Sequence, residues 1–244
     1  MKKQIVLITG AAKRLGGAIA RSCAEAGMDV ILHYHTSEQA AKNLESGLNE
    51  SGARTWMFRA DLSDPKETNS LFRKALDAAG QIDVLINNAS IFPKDTLTGF
   101  TARALYRNIG VNAFAPLQLG RRFAEQQCKG KIINLLDARI TDYDKEHTAY
   151  HLSKRMLCDI TKMMALEFAP LITVNGVAPG LILPPPGEDS GFLKKMSRTN
   201  PLCTHGTAQD VADAVLFLIK AEFITGQVIF IDGGRHLKGC VYGS

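Results

Sequence analysis

Tyr150 and Lys154 are the two residues of this sequence whose types and spacing best suit proton transfer. They lie one turn apart in a segment whose apolar spacing predicts a helix, so we expect the phenol and the ammonium on one face. A phenol with its reference pKa of about 10 is a weak acid at neutral pH, and an adjacent cation should lower that pKa. The pair is interpreted as a catalytic proton donor and its helper.

Asp137 is the candidate partner of this pair. It follows the apolar run 131–136, which predicts a buried strand ending just before it. A carboxylate there can orient a nitrogen heterocycle or relay protons with Tyr150, whereas a hydroxyl would suit a carbonyl oxygen. The alternative is that Asp137 only caps its own loop by accepting from backbone N–H groups. Both interpretations stay open at this point.

The turn from Gly10 to Gly16 is a candidate dinucleotide site. Its spacing departs from G-x-G-x-x-G, but a glycine turn before a helix N-terminus can bind a pyrophosphate. The alternative is an ordinary turn between strand and helix. After the second strand the segment 33–37 has histidines and hydroxyls in place of the carboxylate that NAD recognition favours, and Lys13 and Arg14 are close by. The pattern therefore predicts NADP(H), with Asp61 as a candidate acceptor for the adenine amino group.

Strand-like runs alternate with helical patterns along the chain. Strands are predicted at 5–8, 29–33, 54–58, 82–86, 132–136, 172–177 and 228–231. Helices are predicted from 16 to 26, 37–51, 65–79, 101–127, from 150 onward, and 208–219. This alternation predicts a single-domain α/β fold, a Rossmann-like doubly wound parallel sheet over residues 1–237 with a tail at 238–244. The candidate residues follow strand ends, where such folds bind ligands.

Composition narrows the function classes. The chain has 244 residues, 45% hydrophobic content and a net charge of +5 without a dense basic block, so neither nucleic acid nor membrane is an expected partner. Its five scattered cysteines and the absence of a leader-like start favour a reduced, cytoplasmic protein. His33 and His35 lack an apparent third ligand, so no metal is expected.

Five motifs in order resemble the short-chain dehydrogenase/reductase family over essentially the whole chain: Thr9-Gly-x-x-x-Arg-x-Gly16, Asn87-Asn-Ala-Ser90, Val111-Asn112, Tyr150-x-x-x-Lys154 and Pro179-Gly180. The resemblance implies that Tyr150 donates the proton and that Lys154 holds the nicotinamide ribose while lowering the Tyr150 pKa. It also implies that Asn112 bends a helix to carry a water relay, and that the protein is a homotetramer whose segment 232–237 can reach a neighbouring site.

Asp137 stands where most of that family has Ser, and pteridine reductases within the family carry Asp there. They also resemble this chain in 9–16, in 33–35, in 88–92 and in Thr225-Gly226 before 232–234. The resemblance implies a pterin stacked between Phe92 and the nicotinamide. The implied substrate residues are Arg14, Ser90, Phe92, Asp137, Tyr150 and Leu181. Thr36 departs from the pattern, in which Arg is frequent, and this leaves the strength of the NADPH preference open.

Pattern and resemblance together predict a set of cofactor-binding residues near the strand ends: Gly10, Lys13, Arg14, Leu15, Gly16, His33, Tyr34, His35, Thr36, Ser37, Asp61, Leu62, Asn88, Ala89, Ser90, Tyr150, Lys154, Pro179 and Gly180. The predicted catalytic residues are Asp137, Tyr150, Lys154 and Asn112.

The predicted activity is NADPH-dependent reduction of dihydropterins to tetrahydropterins, with dihydrofolate as a further candidate substrate. A carbonyl reductase acting on 3-oxoacyl thioesters is the alternative, which Asp137 and the run 89–92 disfavour. A cofactor-binding sensor without catalysis is a third reading, and the presence of Tyr150, Lys154 and Asn112 opposes it.

Overall fold

Seven parallel strands form one sheet in the order β3-β2-β1-β4-β5-β6-β7. The computed structural model describes residues 3–185 and 187–240. The strands are β1 Ile5–Ile8, β2 Asp29–Tyr34, β3 Thr55–Arg59, β4 Val84–Asn87, β5 Gly130–Leu135, β6 Ile172–Pro179 and β7 Val228–Ile231. The chain reverses its direction of winding between β1 and β4, which is the place where doubly wound sheets open a ligand crevice.

Helices cover both faces of the sheet. They are α1 Arg14–Glu25, α2 Glu38–Glu50, α3 Pro65–Ala79, α4 Ala102–Ile109, α5 Ala115–Ala124, α6 Thr148–Glu167, α7 Ser190–Met196 and α8 Ala208–Lys220. Alternate residues of β1 enter two separate cores, Val6 with α1 and α8 on one face and Leu7 with α3, α5 and α6 on the other. Burial on both faces explains why the strands read as continuous apolar runs. The predicted doubly wound α/β fold is confirmed.

The predicted helix over 101–127 is wrong in one respect. The structure inserts a π-helical turn, Gly110–Phe114, between α4 and α5, and this turn contains Asn112. A π turn adds only one residue to a helix, and the residues on either side keep α-helical spacing. The spacing of apolar residues therefore does not reveal it. The short helix α7 and the 3₁₀ turns Ala138–Ile140, Ser197–Thr199 and Arg235–Cys240 were also outside the prediction.

Part of the predicted tail, residues 241–244, lies outside the residues that the structure describes, as does Pro186 in the loop after β6. Among the described helices, none combines the length and apolar content needed to cross a bilayer.

A chain of buried hydrogen bonds fixes α6 against the sheet. Asn87 Nδ2 donates to Asn134 Oδ1 at 2.8 Å, and Asn134 Nδ2 donates to Thr161 Oγ1 at 2.8 Å. All three residues are buried, so each polar atom needs a partner inside the protein. Because α6 carries Tyr150 and Lys154, this chain holds the reactive pair in position relative to the strand ends.

We expect Thr161→Val to lower the free energy of unfolding by about 1–3 kcal/mol, because it leaves the buried Asn134 Nδ2 without an acceptor at nearly constant volume. Urea unfolding would measure the change. Thr68→Val is the matched control, since Thr68 is also buried and its hydroxyl donates to Asp64 O, which still accepts from Thr68 N. Equal losses in the two variants would contradict the role assigned to Thr161.

Candidate active site

Tyr150 and Asp137 are hydrogen-bonded to each other. The Tyr150 hydroxyl donates to Asp137 Oδ2 at 2.7 Å, and Tyr150 is buried near the start of α6. Asp137 lies just past β5, and its other oxygen, Oδ1, accepts from Arg139 N at 2.8 Å. Asp137 therefore combines the two roles that the sequence left open. One carboxylate oxygen caps its own loop, and the other accepts the hydrogen bond from the Tyr150 phenol.

The net shift of the Tyr150 pKa is opposite to the one expected from an adjacent cation. Burial of the phenol raises the Tyr150 pKa well above its ordinary value, and the charge of Asp137 and the hydrogen bond to it raise the pKa further. A carboxylate acceptor favours the protonated phenol because the phenolate would place two negative charges side by side. Tyr150 is therefore held as a protonated donor across the neutral range.

Lys154 is anchored to the sheet from the next turn of α6. Its Nζ donates to Leu135 O at 2.7 Å and lies 5.8 Å from the centroid of the Tyr150 ring. Burial lowers the pKa of Lys154 to about 8, while the charge of Asp137 acts in the opposite direction. The ammonium is thus mostly charged at neutral pH, in a place where the charge is costly to desolvate.

Asn112 connects the π turn to the loop after β4. Its Oδ1 accepts from Ile91 N at 2.9 Å and from Ser90 Oγ at 3.1 Å. Its Nδ2 donates to Ile91 O at 3.0 Å and to Ser153 Oγ at 3.0 Å. The fully buried side chain therefore ties the predicted substrate loop to α6.

Phe92 lies next to Tyr150, as a substrate platform would require, but one of its faces is covered. The imidazole of His147 stacks on Phe92 with ring centroids 3.8 Å apart and planes at 12°, while Tyr150 meets Phe92 at 4.5 Å and 81°. His147 Nδ1 is itself hydrogen-bonded to the Asp144 carboxylate at 3.0 Å. Only the face of Phe92 opposite His147 can receive a flat ligand.

A cavity of about 390 Å³ opens where the chain reverses its winding. Most of the predicted cofactor residues line it: Gly10, Lys13, Arg14, Leu15, Gly16, His33, His35, Asp61, Leu62, Asn88, Ala89 and Ser90. We call it the cofactor cavity. The cations of Lys13 and Arg14 and the imidazole of His35 give it groups suited to phosphate.

The walls of the cofactor cavity suit the backbone of a dinucleotide. Gly10 has φ +62°, and a Cβ on Gly16 would clash with the Gly10 carbonyl oxygen, so both glycines are required for the turn to close this tightly. No side chain among the described residues caps the N-terminus of α1. Its first N–H groups are therefore available to an anion, as pyrophosphate binding requires.

His33 has a different role from the one predicted. Its Nδ1 accepts from Gly10 N at 3.1 Å, and its Nε2 is hydrogen-bonded to Ala60 O at 3.0 Å. Burial lowers the His33 pKa to about 4, so the ring is neutral at physiological pH. His33 supplies no cation to a 2′-phosphate. It fixes the glycine turn to the ends of β2 and β3.

Several predicted residues do not line the cofactor cavity: Tyr34, Thr36, Ser37, Tyr150, Lys154, Pro179 and Gly180, and of the substrate set Phe92, Asp137 and Leu181. Pro179 ends β6 instead, and a Cβ on the following Gly180 would clash with Asp232. Leu181 lines a different cavity, beside Phe230 and Asp232. The Arg14 guanidinium donates to Pro184 O at 2.6 Å, which joins the first turn to the loop after β6.

The cofactor cavity also contains residues that the sequence prediction missed: Ser63, Ile91, Arg107 and Val111. Ser63, Ile91 and Val111 are sequence neighbours of Leu62, Ser90 and Asn112, so extending each motif by one residue would have found them. Arg107 lies one turn before Val111 and had no motif to mark it. Within residues 3–185 and 187–240, no group of three or more His, Cys, Asp or Glu side chains is arranged to hold a metal ion.

Comparisons with known proteins agree with this geometry. A family model described as enoyl-(acyl carrier protein) reductase matches residues 10–236. Pteridine reductase 1 of Leishmania tarentolae is 34% identical over 96% of this chain and 96% of its own. The 3-oxoacyl-[acyl-carrier-protein] reductase FabG of Staphylococcus aureus is 31% identical over 95% of this chain and 97% of its own. The crystal structure of FolM alternative dihydrofolate reductase 1 from Brucella canis, complexed with NADP, superposes with a TM-score of 0.92 at 29% identity, covering 99% of this chain and 96% of that one.

The buried ammonium of Lys154 should be visible in the pH dependence of stability. Its pKa is about 8 in the folded protein, below the ordinary lysine value of 10.5, so the unfolded chain binds more protons between these pH values and stability rises with pH there. We expect the unfolding free energy of the wild type, relative to Lys154→Met, to rise by up to about 3 kcal/mol across that window. Urea unfolding at several pH values would measure the difference, in which other titrating groups cancel. Parallel curves would contradict the burial of a charged Lys154.

Proposed function

Because the chain belongs to the short-chain dehydrogenase/reductase family of oxidoreductases, we propose that it reduces dihydropterins to tetrahydropterins with NADPH as hydride donor. The observation that carries the proposal is the 2.7 Å hydrogen bond between the Tyr150 hydroxyl and the Asp137 carboxylate. Cytoplasmic location, expected from the sequence, and homotetrameric assembly, implied by the family, belong to the same proposal.

The cofactor cavity is the proposed NADPH site. Gly10, Gly16 and the first turn of α1 would hold the pyrophosphate, and Lys13, Arg14 and His35 would surround the 2′-phosphate. The bound nicotinamide supplies a hydride to the substrate. The NADP complex of the Brucella canis protein supports the choice of cofactor, as does the lack of a carboxylate at 33–37.

Asp137 favours a pterin over a simple ketone. A carboxylate accepts hydrogen bonds, and the amino and ring N–H groups of a pterin can donate them, whereas a 3-oxoacyl group has no N–H beside its carbonyl. Reduction of a ring C=N also needs a proton at nitrogen. Tyr150, kept protonated by burial and by Asp137, is placed to supply that proton, and the Lys154 ammonium stabilises the negative charge left on the phenol.

The framework around these groups holds their geometry. Asn112 fixes the loop that carries Ser90 and Phe92 through three hydrogen bonds of 2.9–3.1 Å, and a fourth of 3.0 Å joins it to Ser153 of α6. His147 covers one face of Phe92 and the Tyr150 ring meets Phe92 at 81°, so Phe92 is held at a defined angle and a ligand could stack only on the face opposite His147. A flat bicyclic substrate would be stacked there while its edge meets the Tyr150–Asp137 pair.

A second candidate function is reduction of 3-oxoacyl thioesters. The 31% identity with the Staphylococcus aureus FabG favours it, since that relative aligns along 97% of its length. The same catalytic Tyr and Lys would serve a ketone, but the carboxylate at Asp137 would then have no evident partner on the substrate.

The substrate class can be decided by assay. We expect the purified protein to oxidise NADPH with dihydrobiopterin, with kcat/KM at least about tenfold above that for acetoacetyl thioesters. Asp137→Ser should lower kcat/KM for the pterin by about 10²-fold or more, because it removes the charged acceptor proposed for the pterin N–H groups and replaces it with a shorter, neutral hydroxyl. Faster turnover of the thioester by the wild type would reverse the ranking of the two functions.

Tyr150→Phe should lower kcat by about 10²–10⁴-fold, the usual contribution of a positioned proton donor. The Kd of NADPH should stay unchanged, since the hydroxyl lies outside the cofactor cavity. A steady-state assay of NADPH oxidation would give kcat, and fluorescence titration would give the Kd values for NADPH and NADH. NADPH is expected to bind more tightly than NADH. An unchanged kcat would remove Tyr150 from the proposed mechanism.

A further inference from the structure

The loop that carries Phe92 is attached to the segment that precedes α6, residues 141–147, which we call the α6 loop. Asp95 N donates to Glu146 O at 2.8 Å. At the start of α6, Ala149 N donates to Asp95 Oδ1 at 3.1 Å. The proposed stacking platform and the helix that carries the proton donor are therefore joined through the α6 loop.

Asp144 is the centre of the α6 loop. The Nδ1 atom of His147 lies 3.0 Å from each oxygen of the Asp144 carboxylate. The same carboxylate accepts from Glu146 N at 2.8 Å and pairs with the Arg139 guanidinium. A carboxylate can only accept hydrogen bonds, so Nδ1 is the ring nitrogen of His147 that carries the proton. Asp144 therefore fixes the orientation of the imidazole.

His147 transmits this orientation to Phe92. The two rings stack with centroids 3.8 Å apart and planes at 12°. His147 is buried, whereas Phe92 lies in a loop and is 43% exposed, so the stack restrains a side chain that has one open face. A side chain that is ordered before its ligand arrives loses less conformational entropy on binding, which favours affinity.

Asp144 is also connected to the Asp137 carboxylate. Arg139, which pairs with Asp144, donates from its backbone N to Asp137 Oδ1 at 2.8 Å. Tyr150 completes the connection, since its hydroxyl donates to Asp137 and its ring meets Phe92 at 4.5 Å. Platform and proton donor thus belong to one closed ring of contacts, which runs through Phe92, His147, Asp144, Arg139, Asp137 and Tyr150.

We propose that Asp144 is a positioning residue that acts through His147 to hold Phe92 at the angle at which a pterin stacks on it beside Tyr150. This inference rests on the proposed function and deepens it. Neither Asp144 nor His147 lines the cofactor cavity, so the effect of the pair is confined to the pterin.

We expect His147→Ala to raise the KM for dihydrobiopterin about three- to tenfold, the change that corresponds to one lost aromatic contact. The kcat should change by less than about twofold, because Tyr150 keeps its hydrogen bond to Asp137, and the Kd of NADPH should stay unchanged. Asp144→Asn should raise the same KM about two- to fivefold, since a neutral amide is a weaker acceptor for His147. Steady-state assays and calorimetric titration of dihydrobiopterin into the NADP⁺-loaded protein would measure these changes.

The double variant Asp144→Asn/His147→Ala tests whether Asp144 acts through His147. It should have the KM of His147→Ala alone, because two changes that remove the same interaction do not add. Thermal unfolding would show whether each variant is folded. If His147→Ala does not fold, His147→Phe takes its place, because it keeps a ring on Phe92 but has no Nδ1, and Asp144→Asn should then leave the KM unchanged.

Glu146→Gln is the matched control. It neutralises a carboxylate of the same loop and breaks only the exposed salt bridge with Lys94, while Glu146 O still accepts from Asp95 N. An exposed ion pair contributes little, so the KM for dihydrobiopterin should equal that of the wild type.

The possible failures are distinguishable. If the wild type reduces dihydrobiopterin but His147→Ala leaves its KM unchanged, or the effects of Asp144→Asn and His147→Ala add, the inference about Asp144 is overturned and the proposed function stands. The same holds if Glu146→Gln raises the KM as much as Asp144→Asn does. A wild type that neither binds nor reduces dihydrobiopterin would overturn the proposed function, and the inference with it.

Discussion

The hydrogen bond between the Tyr150 phenol and the Asp137 carboxylate is the constraint on which the site depends. It joins the buried Tyr150 of α6 to Asp137, a partly exposed residue just past the end of β5. Burial and the neighbouring negative charge keep the phenol protonated, which is the state that a proton donor needs before its substrate arrives. A neutral hydroxyl in place of Asp137 would remove the charge and leave a shorter side chain with a weaker, uncharged acceptor.

A framework of buried polar groups surrounds this hydrogen bond and holds Tyr150 and Asp137 in position. The Asn87–Asn134–Thr161 chain fixes α6 to the strands, and Lys154 donates to the carbonyl of Leu135. Asn112 fixes the loop after β4 by hydrogen bonds. It lies in the π-helical turn between α4 and α5. Burying so many polar groups costs desolvation free energy, which their hydrogen bonds offset; of the described side chains of this framework, Asn87 has one buried oxygen, Oδ1, without a partner. Precision of the site and stability of the fold are thus linked.

The cofactor side uses charge differently. Permanent cations, Lys13, Arg14 and Arg107, line the cofactor cavity, while the buried His33 is neutral and serves the backbone turn. A ring with both nitrogens bonded to main-chain groups is a rigid connection between β1, β2 and β3. The groups suited to phosphate are therefore Lys13, Arg14 and His35, which line the cofactor cavity, and not the buried His33.

The sequence by itself predicted the strands, because their apolar runs and the glycine turn are local patterns. The same patterns placed Gly10, Asp61, Asn88 and Asp137 at strand ends. It also identified Tyr150, Lys154 and Asp137 as a group. Only the tertiary structure decided the direction of the Tyr150 pKa shift, the neutrality of His33 and the π-helical form of the turn at Asn112. These properties depend on burial and on distances between segments far apart in the chain, which no local pattern encodes.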